Sequence, residues 1–251
     1  MSKVAHEWDA AAYHEVAGPQ EDWGRAVLER LELKGDEVVL DAGCGSGRIT
    51  ELLVELVPKG RVLGVDSSAQ MIKFARERLG EEVELHHSDL LEFDLDSPVD
   101  AIFSSATFHW IPEQEELYAK LGSLLRPGGR VEAQCGGIGN VAEFDRVVDA
   151  ASGAEQFAPY LRGIRRPWTF ARPSDTDTYL DRAGFTEHRC WLEPTQAEPR
   201  DAAAYVRAAV LPVHLAALPD DLEDAFIENI LGGMPRPLVL DYVRLNISAR
   251  R

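Results

Sequence analysis

Residues Val38-Val39-Leu40-Asp41-Ala42-Gly43-Cys44-Gly45-Ser46-Gly47 decide the reading of this chain. An apolar run ends in an acid and opens at once into a glycine-rich turn. Glycine tolerates positive φ and has no Cβ to hold a ligand away from the backbone. A strand–glycine loop–helix unit therefore brings main-chain N–H groups against a bound molecule. A second apolar run, Val62-Leu63-Gly64-Val65-Asp66, also ends in an acid. Together the two strands describe a nucleoside-binding crevice at the carboxyl edge of a sheet.

Three ligands compete for such a turn. A phosphate loop needs a lysine followed by Ser or Thr, and no lysine lies near residues 43 to 50. A dinucleotide fingerprint needs Gly or Ala where this chain has Arg48, and Asp41 would repel the pyrophosphate. The pattern Asp-x-Gly-x-Gly-x-Gly is met in full by Asp41, Gly43, Gly45 and Gly47. S-adenosylmethionine has no phosphate, and it sets an ammonium and a sulfonium against one carboxylate, so an acid at the first strand tip favours it. Asp66, an acceptor-only group when ionised, suits two ribose hydroxyls. A plain βα turn of another α/β enzyme is the ordinary alternative, and the two strand-tip acids weigh against it.

These residues resemble the class I S-adenosylmethionine-dependent methyltransferases. Val38 to Gly47 matches their first motif, Asp66-Ser67-Ser68 the second, His87-Ser88-Asp89-Leu90 the third, and Val99 to Ala106 the fourth. Arg126-Pro127-Gly128-Gly129 is similar to the turn before their fifth strand. Within the superfamily the chain is most similar to the trans-aconitate methyltransferase group, on Ser105-Ala106-Thr107-Phe108-His109-Trp110-Ile111 and on the stretch Arg244 to Arg251. The resemblance implies S-adenosyl-L-methionine as cofactor and S-adenosyl-L-homocysteine as product. It implies cofactor contacts from Tyr13, Asp41, Gly43, Cys44, Gly45, Gly47, Asp66, Ser67, Met71, Asp89, Leu90, Ser104 and Ser105. Asp89 would meet the adenine amino group, and Leu90 would pack on the ring. Tyr13 would close over the methionine end. Each has a plain alternative: Asp89 a turn cap, Met71 core.

Strand–helix alternation from Glu37 to Cys135 predicts an α/β, doubly wound, mostly parallel sheet with helices on both faces. The resemblance implies seven strands, the last antiparallel. Helices are expected after Gly47, from Ser68 to Gly80, and from Pro112 through Leu125. Before the sheet, His6–Val16 and Gln20–Leu33 read as amphipathic. Gly136-Gly137-Ile138-Gly139 reads as a flexible junction. The expected division of the single 1–251 domain is N-terminal helices over 1–33 and a cofactor core over 34–135. Helical cap inserts follow over 136–173 and 194–236, with a C-terminal helix and strands over 174–193 and 237–251.

Length and a 45% hydrophobic composition allow one full core. A net charge of −17 argues against nucleic acid and anionic membranes. No stretch reads as a leader or a membrane span. The three dispersed cysteines form no metal pattern. The expectation is a cytoplasmic monomer or homodimer, without metal, acting on a small molecule.

Methyl transfer asks little acid–base chemistry of the protein, because the sulfonium is already activated. A carboxylate acceptor needs no base; a phenol or amine does. His109 is the candidate base or orienting group, with Tyr13 beside the reacting methyl. A polyanionic acceptor would want clustered arginines, and Arg162, Arg165, Arg166 and Arg172 form a basic island by Trp168. The substrate candidates are His14, Trp110, Arg165, Arg166, Trp168 and Tyr205. The favoured reaction is carboxylate O-methylation. Alternatives are N-, phenol O- or C-methylation of a larger acceptor, a catalytically silent sensing or interaction module, and a nicotinamide dehydrogenase.

Overall fold

The computed structural model describes residues 8–16, 18–164, 166 and 168–251. Seven strands form one sheet: β1 (Val38–Ala42), β2 (Arg61–Asp66), β3 (Glu84–His87), β4 (Val99–Ser105), β5 (Leu125–Gly136), β6 (Glu187–Ala197) and β7 (Leu240–Arg250). Their order is β3-β2-β1-β4-β5-β7-β6. The first five pair in parallel, and β7 runs antiparallel between β5 and β6. The chain moves outward from β1 to β3, then crosses back to lay β4 on the other flank of β1. At this reversal the loops after β1 and β4 diverge and leave a crevice at their carboxyl ends.

Strand alternation serves two buried faces, which is why β1 and β4 read as continuous apolar runs. Val39, Val62, Ala101 and Phe103 pack against α2 (Gly18–Leu31), α3 (Arg48–Leu56) and α4 (Ala69–Leu79). Leu40, Leu63, Val65 and Ile102 face the other way, onto α5 (Gln114–Leu124) and α8 (Pro173–Arg182). A second core, centred on Phe144, Phe157, Phe226 and Tyr242, joins α6 (Ala142–Ser152), α7 (Ala158–Leu161) and α11 (Asp220–Gly232) to the start of β7. The short α9 (Ala202–Tyr205) and α10 (Pro212–Leu215) complete this helical layer between β6 and β7. Among the described residues no helix is long and apolar enough to cross a membrane.

Element boundaries differ from the sequence expectation where tertiary pairing extends them. β6 runs on through Pro194 to Ala197, into the stretch expected to open the second cap insert. Only β7 flanks it, and an edge strand tolerates proline. α1 spans Ala10–Val16, and His6 lies outside the described residues. Pro112 precedes α5, which starts at Gln114. The glycines at 136 and 137 are close-packed rather than a hinge. A Cβ on Gly136 would sit 2.6 Å from Phe170 Cε1, and one on Gly137 2.6 Å from Leu192 Cδ2.

Candidate functional site

The first cleft forms where the loops after β1 and β4 part. Asp41, Gly43, Gly45 and Ser105 line it, with Gln20 and Arg48 closing over from the helices. The glycine loop is fastened to β2: the N–H groups of Gly43 and Cys44 donate to Val65 O at 2.8 and 3.0 Å. Gly43 has φ +85°, and a Cβ there would lie 2.1 Å from Thr107 Oγ1, so only glycine lets the two loops meet. Gly45 also has positive φ, and space is open where its Cβ would be.

The two acids differ in their surroundings. Asp66 is half-buried, and its carboxylate accepts Gly45 N–H at 3.0 Å and Ser68 N–H at 2.9 Å, one on each oxygen. Asp41 is buried, with Thr50 Oγ1 donating to it at 2.7 Å. Burial pushes its carboxyl up to about 7, the Thr50 hydrogen bond opposes this, and the negative charge of Asp66 adds to it. Buried Ser105 Oγ, Gln20 Oε1 and Arg48 Nε have no hydrogen-bond partner among the described residues.

The second cleft, about 550 Å³ including its mouth, adjoins the first; Tyr13, Gln20 and Ala106 line both. Ala106 holds φ 58° as the chain leaves β4, a strained turn that aims the loop between the clefts. Aromatic rings dominate the walls. Trp110 meets Trp8 edge-on at 5.2 Å and Trp168 at 5.7 Å, and Trp168 stacks on Phe170 at 5.8 Å. Trp23 packs on Tyr242 across the cleft's inner side.

At one end the wall turns polar. Arg244, on β7, is 3% exposed. Its Nε donates to Gln134 Oε1 at 3.3 Å, and its guanidinium lies 4.4 Å from the Trp23 ring. Nη2 is buried with no hydrogen-bond partner, and no acidic side chain among the described residues forms an ion pair with Arg244. Burial lowers its pKa from the usual guanidinium value. His109 is next to it, on the 3₁₀ turn Phe108–Trp110 after β4. Gly136 N–H donates to His109 Nδ1 at 3.3 Å, so the neutral ring carries its proton on Nε2. Burial, and then the charge of Arg244, push this imidazole down to about 3.

The structure gathers some of the expected site residues and disperses others. Tyr13, Asp41, Gly43, Cys44, Gly45 and Ser105 line the first cleft; Tyr13, His109, Trp110 and Trp168 line the second. Gly47, also at positive φ, caps α3 against Leu79. Ser104 Oγ instead donates to Ala42 O at 2.7 Å and clasps β4 to β1. Ser67, Met71, Asp89 and Leu90 follow the carboxyl ends of β2 and β3, on the side of Asp66 away from β4. Met71 and Leu90 are buried, and Asp89 Oδ1 caps its own turn by accepting Leu91 N–H.

Three expected acceptor contacts, Arg166, His14 and Tyr205, are corrected, as is the expected base role of His109. Arg166 is exposed and neutralised by Asp145 at 2.7 Å and Asp149 at 2.5 Å, both from α6. Arg165 lies outside the described residues. His14 bridges Ser46 Oγ and Arg78 on the cofactor side instead of entering the aromatic cleft. Tyr205 is buried behind the wall, its hydroxyl 2.7 Å from that of Tyr242 and 2.8 Å from Gln20 Nε2. As for His109, a nitrogen occupied by Gly136 and a depressed pKa make it a donor, not a base. The sequence reading did not select Arg244, Asn140, Gln20 or Tyr242. Arg244 enters there only as the first residue of the stretch that carries the subgroup resemblance, and the polar residues alternating along β7 equally suit a solvent face.

A parallel sheet that reverses at a glycine loop, with acids at both adjoining strand tips, defines an S-adenosylmethionine-dependent methyltransferase of class I. The comparisons place it further. Residues 39–129 match the methyltransferase domain family. The trans-aconitate 2-methyltransferase of Methylobacterium nodulans is 33% identical over 257 residues, covering 98% of each chain. That of an Azoarcus species is 41% identical over 127 residues, about half the length of each chain. The chain belongs to the trans-aconitate group of class I methyltransferases, and S-adenosyl-L-methionine is its cofactor. The fold is shared with Haemonchus contortus phosphoethanolamine N-methyltransferase 2 solved with S-adenosyl-L-methionine (TM-score 0.63, 19% identity, 96% of this chain and 56% of that one). It is shared too with Streptomyces coelicolor geranyl diphosphate C-methyltransferase (TM-score 0.57, 18% identity, 96% and 82%).

Proposed function

We propose that the enzyme methylates a carboxylate oxygen of a small organic acid. The observation that carries this reading is Arg244: a buried guanidinium whose Nη2 has no partner and which no acid neutralises among the described residues, set in the wall of the cleft that adjoins the cofactor site. A buried unpaired charge is costly, and an anionic acceptor removes that cost. An amine acceptor would be repelled, whatever the aromatic walls offer a cation. A phenol or amine would also need a base, which His109 does not supply.

The chain's own groups suit the cofactor. Asp66 would take the ribose hydroxyls, and ionised Asp41 would offset the cofactor's positive charge. The orphaned Arg48 Nε would meet its methionine carboxylate, while Ser105 Oγ and Gln20 Oε1 would accept from its ammonium. When bound, the cofactor supplies an activated methyl on a positive sulfur. Arg244 and the Nε2–H of His109 would then hold the acceptor carboxylate with one oxygen toward the seam at Tyr13. The cofactor would supply its methyl to that oxygen's lone pair, with the carbon–sulfur electron pair remaining on sulfur. No proton moves. Tyr13, whose hydroxyl burial keeps protonated, and the tryptophans exclude water.

Arg244→Gln should lower kcat/KM for a carboxylate acceptor by roughly 2–4 kcal/mol of transition-state stabilisation. Calorimetry should find S-adenosylhomocysteine affinity nearly unchanged. Undiminished methyl-ester formation by this variant would refute the reading.

A further inference from the structure

The anion-binding groups of the acceptor cleft converge on a single backbone position. Gly136 N–H donates to His109 Nδ1, which turns the ring's Nε2–H outward. Arg244 is the register partner of Gly136 across β5 and β7. Asn140 Oδ1 accepts Val243 N–H at 3.0 Å, leaving its Nδ2 as a donor, and that Nδ2 lies 3.0 Å from where a Gly136 Cβ would stand. Arg244, His109 and Asn140 thus form one donor cluster at one end of the cleft.

Away from that end rings and aliphatic groups predominate, from Trp8, Trp110, Trp168, Phe170, Ala209 and Val210, and the polar groups among them, the Tyr13 and Tyr242 hydroxyls and the Gln20 amide, are neutral. Among the described residues, Arg244 is the one cationic side chain lining this cleft. Arg166 is held on the outside by Asp145 and Asp149. A tricarboxylate, such as the acid for which the relatives are named, would have to press its other carboxylates against indole and phenyl faces. Each would lose water without gaining a cation from the described residues.

We infer that the acceptor is a monocarboxylic acid with a bulky apolar tail, its carboxylate at the Arg244–His109–Asn140 end and its tail along the tryptophan wall. This deepens the carboxylate reading and rests on it. The geometry also accounts for turnover. Transfer converts the single anion into a neutral ester, which loses its hold on Arg244 and departs. A tricarboxylate monoester would keep two charges.

The test supplies S-adenosylmethionine with a labelled methyl group and offers the full chain matched acceptors. These are phenylalkanoic and medium-chain alkanoic acids, trans-aconitate and a second tricarboxylate, and phenol and amine isosteres of the same tails. The expected result is a base-labile ester from the tailed monocarboxylates, with kcat/KM at least about a hundredfold above the tricarboxylates. Preference for the tricarboxylates overturns the inference and leaves carboxylate methylation standing. Base-stable product from the phenols or amines alone overturns both. Should turnover be absent, calorimetry in the presence of S-adenosylhomocysteine decides. Millimolar or tighter binding of the monocarboxylates and not of trans-aconitate supports the inference, and the reverse overturns it. Trp168→Ala provides a second readout: KM should rise several-fold for long tails and stay level for short ones. A uniform change, or none, overturns the placement of the tail.

Discussion

Asp41 and Asp66 sit at adjacent strand tips, and Asp41 is poised to titrate near neutrality. Asp66 is steadied by two backbone N–H groups and half open to solvent. Asp41 is enclosed, with only the Thr50 hydroxyl to favour its charge, and stands at about 7. A raised carboxyl pKa means the empty site holds a proton below that value. A cationic cofactor stabilises the ionised form, so binding should expel the proton. The sign follows. Affinity for S-adenosylmethionine should strengthen as pH rises from about 6 to about 8 and then level off, as Asp41 is already ionised. Titration calorimetry in buffers of different ionisation enthalpy should register proton release at pH 6 that vanishes at pH 8. In Asp41→Asn both the slope and the released proton should disappear. A cofactor affinity flat across this range in the native enzyme would place Asp41 outside the binding equilibrium.

At the scale of elements, what could be read depended on how local the encoding was. The helix α4 announces itself. Ser68 accepts Met71 N–H as its N-cap, Ile72 and Ala75 face the sheet, and Gly80 closes it at positive φ. Ser68→Ala should therefore cost about 1 kcal/mol in denaturant unfolding. The same variant should leave S-adenosylhomocysteine affinity within a factor of about two, because the hydroxyl points into the helix end and not the cleft; a large loss of affinity would assign the hydroxyl to the site. The cofactor loop was equally legible, since Asp41 through Gly47 are contiguous and each glycine answers to a local requirement. The acceptor site was not. In β7, Tyr242, Arg244 and Asn246 occupy one face and Leu245, Ile247 and Ala249 the other. That alternation is the signature of a half-exposed strand. Nothing within the strand indicates that α2 will lay Trp23 over Arg244 and bury it. The converse failure is the island around Arg166. Four nearby arginines suggest a binding patch, but α6 brings Asp145 and Asp149 to neutralise the central one. Pairing between distant elements neutralised Arg166 and left Arg244 buried without an ion pair among the described residues.

For the whole molecule, the charge of −17 sets the field through which an acceptor must approach. An enzyme whose acceptor is anionic would be ill served by such a surface, unless the attraction comes from a group too enclosed to be seen from afar. Arg244 is such a group: buried in the cleft wall, it acts on an acceptor at contact, while the net charge of −17 governs the distant approach. The distant and local fields therefore oppose each other, and salt separates them. Raising ionic strength from about 0.02 to about 0.2 M shortens the Debye length from roughly 20 to roughly 7 Å. That damps the long-range repulsion while leaving the buried contact nearly intact. The expected result is a kcat/KM for a monoanionic acceptor that rises a few-fold over this range, and more steeply for a trianion. The neutral-ester analogue should bind with no salt dependence. A fall in kcat/KM with added salt would mean that local attraction at the cleft mouth outweighs the acidic surface, and would point to basic groups beyond Arg244 on the acceptor's path.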